Sequence, residues 1–140
     1  MADTTGIEWT DHTWNPWVGC TKISPGCEHC YMFTERAGWG HDPAVVMRTK
    51  PATFGRPRVW HRRNEGSRVR GREHLSPLVF TCSWGDWFHR DAHPWLPDAW
   101  QVVRDCPGLT FQILTKRHGR ILGGLPPDWG DGYRNVWLGV

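Results

Sequence analysis

Residues 19 to 32, GCTKISPGCEHCYM, bring three thiols within a span of eleven residues: Cys20, Cys27 and Cys30, in the pattern C-x6-C-x2-C. Ionised thiols are metal ligands, and their number bears on what they can hold. Three readings stay open. As plain thiols the three would pack as small hydrophobes, yet Gly19 and Gly26 frame a polar loop that offers little to pack against. As a zinc knuckle they would fill three tetrahedral positions, with His29, His12 or His41 as the fourth ligand. As cluster ligands they would hold three irons of a [4Fe–4S] cluster and leave the fourth iron open to an exogenous ligand. The spacing favours the third reading.

Other residues could do chemistry beside that loop. Ser83, Asp86 and His89 follow an apolar run, LVFTCS, at what would be its carboxyl end. In a parallel sheet that edge hosts ligands, although Asp86 capping a turn and His89 bonding a loop carbonyl is the structural alternative. Thr115, Lys116 and Arg117 end the next apolar run and could grip a carboxylate or phosphate; a helix start with two solvated cations is the alternative. Trp9, Trp14, Asn15 and Trp17 precede the cysteines, as core or as a shield that keeps water from a metal. Between 56 and 72 the stretch RPRVWHRRNEGSRVRGR holds seven Arg and one Glu. There Arg62, Arg63, Arg68, Arg70 and Arg72 could contact phosphates while Trp60 stacks on a base. A run of like charge is more often a solvated loop.

The elements that must position these groups follow from pattern. GIEWTDHTWNPWV, 6 to 18, reads as an extended lead into the first cysteine, and Pro25–Gly26 as a turn. From Glu28 to Gly38 a short helix is expected, with the third cysteine in its first turn. Residues 39–77 read as a basic, irregular loop. The apolar runs 78–83, 110–115 and 135–140 read as strands. Between the first two, Ala99, Trp100, Val103 and Cys106 share one helical face, opened by Pro97 and stopped by Pro107–Gly108. KRHGRILGG gives a short helix before the last strand. Strand and helix in alternation mark parallel βαβ units. The expected fold is therefore α/β, a partial (β/α) barrel-like parallel sheet with long irregular Trp- and Arg-rich loops. It forms one domain over 1–140: a cysteine segment at 1–38, the basic loop at 39–77 and βαβ units at 78–140. The last strand arrives with no helix after it to cover the sheet.

Composition narrows the class. With 140 residues, 39% hydrophobic and 22% charged, the chain suits one folded domain. A net charge of +3 is too small to demand a nucleic-acid partner, and 14 Arg against 3 Lys supply the cations. No apolar run approaches the roughly 20 residues of a membrane span, and the start, MADTTGIEWTDHTW, lacks signal-peptide features. An intracellular, cytoplasmic and reducing setting is expected, where an odd count of five cysteines is no disulfide framework.

IEWTDHTWNPWVGCTKISPGCEHCYM, VFTCSWGDWFHRDAHPWLPDAWQVV, FQILTKRHGRI and NVWLGV together resemble a phage and prophage family of three-cysteine-motif, radical-SAM-like proteins of unassigned function. The resemblance spans most of the chain. It implies an incomplete (β/α) barrel, a [4Fe–4S] cluster on Cys20, Cys27 and Cys30, and S-adenosylmethionine as cofactor. Ser83, Asp86 and His89 match the family's Ser-x2-Asp-x-Phe-His block and would help place that cofactor with Thr115 and Lys116. Family members carry further strands after the NVWLGV block, so this chain corresponds to the N-terminal half of their barrel. Its cysteine spacing is three residues longer than the usual C-x3-C-x2-C of radical-SAM enzymes. The leading expectation is an enzyme acting on nucleic acid or another phage or host macromolecule, in the host cytoplasm. A zinc-stapled module that binds a host protein without catalysis is the alternative of a different class.

Overall fold

Four short apolar segments pair side by side. The computed structural model describes residues 3–140. In chain order the elements are β1 (His12–Trp14), β2 (Trp17–Val18), α1 (Tyr31–Gly38), β3 (Met47–Arg48), α2 (Pro51–Phe54), α3 (Arg56–Arg63), β4 (Leu78–Thr81), α4 (Leu96–Asp105), β5 (Thr110–Leu114), α5 (Ile121–Gly124) and β6 (Val136–Gly139). β1, β4, β5 and β6 form one all-parallel sheet in that order, with His12 opposite Val79, Leu78 opposite Thr110 and Phe111 opposite Val136. β2 and β3 make a separate antiparallel pair. The sheet is open, with β1 and β6 at its edges. The α/β class and the partial, unclosed parallel sheet follow the pattern of apolar runs.

Alternation along each strand gives the sheet two unlike faces. On one face Trp14, Val79, Phe111 and Ile113 join the core, with Trp60 from α3 and Ala99, Trp100 and Val103 from α4. Indoles tie this core together: Trp14 and Trp17 both meet Trp87, at 5.7 and 5.4 Å between ring centres, and Trp87 meets Trp100 at 5.1 Å. Three of those indole N–H groups donate to backbone carbonyls, Trp14 to Phe54, Trp17 to Asp86 and Trp100 to Gly124, while the Trp87 Nε1 is buried without a partner among the described residues. Across the other face Thr13, Phe80, Gln112 and Trp137 stand in one row, and Trp137 is 48% exposed.

Residues 39–77 depart from the expectation of an irregular loop. They contain β3, α2 and α3, and α3 is the basic run RPRVWHRR itself. Its charges masked an amphipathic helix: Pro57 and Trp60, three apart, face inward, while Arg58 and Arg63 reach out to Asp105 and Asp3. Pro57 starts the helix, and Asn64, left-handed at φ 49°, ends it. The rest of the segment is irregular and is held by Asp11. That buried carboxylate accepts from the Ser67 hydroxyl and the Leu78 amide, both at 2.7 Å, and from the Arg68 amide. The helix expected from Glu28 begins instead at Tyr31, so Cys30 is its N-cap and lies before the first turn.

Candidate functional site

The carboxyl ends of β4, β5 and β6 surround a cavity of about 330 Å³. Cys20, Cys27 and Cys30 all line it, and so does Cys82. Each reaches it through a specific local device. Gly19 sits at φ +100°, where a Cβ would stand 2.1 Å from the Val45 carbonyl oxygen, so only glycine lets the chain turn there. Its amide donates to Trp84 O at 2.8 Å and that of Cys20 to Pro43 O at 2.9 Å, fixing the loop's first end. A single 3-10 turn, Pro25–Cys27, carries the second cysteine. The third caps α1. Cys82 follows β4 directly, in the left-handed region at φ 55°, a conformation that costs a non-glycine residue of order 1 kcal/mol and gathers at functional sites.

Asp86 joins the strand ends. One carboxylate oxygen accepts from the Thr115 hydroxyl at 2.7 Å and the Phe88 amide at 2.9 Å; the other accepts from the Lys116 amide at 3.2 Å. Arg117 lies 4.0 Å from that second oxygen, with both side chains only 9% exposed. The Arg117 guanidinium then spans to the cysteine loop, donating to Thr21 O at 2.7 Å, to the Thr21 hydroxyl at 3.0 Å and to the Cys20 sulfur at 3.6 Å. Lys116 Nζ donates to Gly26 O at 2.9 Å. Two cations of one strand end therefore hold the cysteine loop over the sheet.

The thiols differ in ease of ionisation. Burial pushes the Cys20 thiol up, opposed by the Arg117 hydrogen bond and charge. At Cys27 burial acts upward too, but hydrogen bonds from the Ile23 and Ser24 backbone, the Ser24 hydroxyl and the nearby Lys116 charge together bring it below its ordinary value. Burial drives Cys82 well above the usual thiol range. Cys106, also pushed up by burial, to about 11, lies in the core away from this cavity. It packs there as a small hydrophobe.

Of the residues singled out in the sequence, Ser83, Asp86, Thr115 and Lys116 line the cavity with the cysteine trio. Ser83 accepts from Asn15 Nδ2 at 2.9 Å. His89 stands behind the wall: Nδ1 accepts from the Asp91 amide, capping the turn Arg90–Trp95, which leaves Nε2 to donate to the Thr21 hydroxyl at 3.1 Å. The nucleic-acid surface is not assembled as expected. Trp60 is 2% exposed and stacked on His12 at 4.3 Å, which closes it to any base. Arg63 pairs with Asp3, Arg68 donates to Asp11 O, and Arg72 lies 5.2 Å over the Trp137 ring; Arg62 and Arg70 are exposed. The zinc partners do not assemble either: His12 is in β1 under Trp60, and neither His29 nor His41 lines the cavity. Sequence reasoning missed Cys82, which reads as one more apolar residue of a strand, and Tyr31, whose hydroxyl donates to Ser83 O at 2.6 Å.

Among the described residues no three His, Cys, Asp or Glu side chains stand close enough to share a single metal ion. Bonds of about 2.3 Å to one zinc would draw thiolates to roughly 3.8 Å apart. A cubane instead takes each thiolate on a different iron and spreads them around a common cavity. Cys20, Cys27 and Cys30 stand together on the wall of one cavity.

Residues 4–140 match the family described as protein of unknown function (DUF5131), and the chain belongs to that family. No curated protein and no solved structure matches it.

Proposed function

We propose that this chain is an iron–sulfur protein of the radical-SAM-like kind, holding a [4Fe–4S] cluster on Cys20, Cys27 and Cys30. The observation that carries the reading is the convergence of all three thiols on one cavity at the carboxyl edge of a parallel sheet. Such a cluster, when bound with its fourth iron open, supplies an electron for reductive cleavage of S-adenosylmethionine. The chain's own residues do the rest. Arg117 and Lys116 fix the loop, Asp86 accepts from the Lys116 amide and the Thr115 hydroxyl, that hydroxyl in turn accepts from the Arg117 amide, and Ser83 lies on the cavity wall where a cofactor's polar groups would lie. The substrate in this reading is nucleic acid or another host macromolecule, met in the cytoplasm of a phage-infected cell. No helix among the described residues is long and apolar enough to cross a membrane.

A second reading is favoured by Cys82. Were its thiol a fourth ligand, the site would be closed, a structural staple on a cluster, and the protein a binding module for a host protein without catalysis. Anaerobic reconstitution with iron and sulfide separates the two. Replacing Cys82 with Ala leaves iron content intact in the open-site reading and lowers it in the closed one. Electron paramagnetic resonance of the reduced protein changes on adding S-adenosylmethionine only when an iron is open.

A further inference from the structure

Tyr31, Phe80 and Ser83 are shared walls between the thiol cavity and a second, larger one of about 870 Å³. The second cavity holds a charge with no counterpart. Arg36, on the inner side of α1 beside Met32, is 5% exposed, and its Nε and one Nη are buried without a hydrogen-bond partner among the described residues. Glu35, which also lines this cavity, is turned to another use: its carboxylate accepts from Trp84 Nε1 at 3.1 Å. The Thr13 hydroxyl, on the same wall, is buried and unpartnered as well. A guanidinium out of water needs an opposite charge, and its planar fork matches carboxylate or phosphate oxygens two at a time.

The remaining walls are aromatic. Trp39 meets Trp84 edge-on at 4.9 Å, and Trp9 meets Phe80 the same way at the same separation. Trp39 and Trp9 stay 65% and 47% exposed, so indole surface is left for a flat ring to lie against. The volume lies within the range of small-molecule sites and is more than a simple inorganic anion would fill.

We propose that this cavity binds a planar aromatic anion of nucleotide size, its anionic group paired with Arg36 and its ring against Trp39 and Trp9. The inference does not depend on a cluster at the cysteines and needs no metal. Titration calorimetry of the full chain tests it with four probes: AMP, adenosine, inorganic phosphate and indole-3-acetate. AMP or indole-3-acetate is expected to bind, the first assigning a phosphate and the second a carboxylate to Arg36, while adenosine and inorganic phosphate bind at least tenfold more weakly than AMP. Arg36→Met is expected to weaken the binding anion by about ten- to a hundredfold and to raise the melting temperature of the ligand-free protein, because an uncompensated buried charge is removed. Trp39→Ala changes an exposed side chain, leaves the fold intact and is expected to weaken binding at least fivefold. Failure of both AMP and indole-3-acetate to bind overturns the proposal, as does adenosine binding as tightly as AMP, or affinity unchanged in Arg36→Met.

Discussion

Asp86 carries more of the site than its place in an exposed-looking SWGDWF segment suggests. Every hydrogen bond it makes is accepted from a donor: the Thr115 hydroxyl, the Phe88 amide and the Lys116 amide. Asp86→Asn would turn an NH₂ group against at least one of these, at a cost of about 1–3 kcal/mol, and a urea melt should show that loss. The thiols make a second residue-scale prediction. Cys20→Ser, Cys27→Ser and Cys30→Ser are each expected to lower the iron bound after reconstitution, whereas Cys106→Ala retains it, since Cys106 lies in the core. Equal iron in all four variants would contradict the assignment. The trio and the strand-end Ser83, Asp86, Thr115 and Lys116 were legible in the sequence because short spacing and strand ends place residues without reference to the rest of the chain. Arg36 was not. One Arg in YMFTERAG carries no mark of burial until α1 is seen against its neighbours.

At the scale of elements, the regular second half could be read from its apolar runs, and β4, α4, β5, α5 and β6 lie where those runs fall. α3 escaped because seven Arg between 56 and 72 swamp a periodicity carried by only Pro57 and Trp60. The role of Asp11 escaped for another reason: its partners Ser67 and Leu78 are 56 and 67 residues away, and no local pattern links them. Two glycines test how the elements fit. At Gly124 of α5 a Cβ would stand 2.5 Å from the buried Phe88 ring, so Gly124→Ala is expected to destabilise by about 1–3 kcal/mol, read as a lower melting temperature. Gly19→Ala strains the entry to the cysteine loop at φ +100° against the Val45 carbonyl. It should lower both stability and iron loading, and normal loading in this variant would show that the loop does not need that turn.

For the whole molecule, one sheet face is packed and the other is only partly covered, with Trp137 and Leu114 about half exposed. Stability therefore rests on the Trp-rich side and on what holds the cysteine loop down. Two buried histidines make it sensitive to acid. Burial lowers His12, opposed by its bond to the Asp3 carbonyl, and burial lowers His89, helped by the Arg117 charge. With folded values below the unfolded 6.5, the unfolded chain takes up protons first as pH falls. The stability they contribute is full above about pH 6.5 and declines toward their lowered folded values. Melting temperature should drop on going from pH 7.5 to 5.5, and His12→Gln should flatten that slope.

The most direct test is iron and acid-labile sulfide analysis of the full chain reconstituted anaerobically, beside a variant with Cys20, Cys27 and Cys30 all changed to Ser. The account predicts a brown protein with about four irons and four sulfides per chain, and neither in the variant. A colourless protein with one zinc per chain, or iron bound equally without the three thiols, would contradict it.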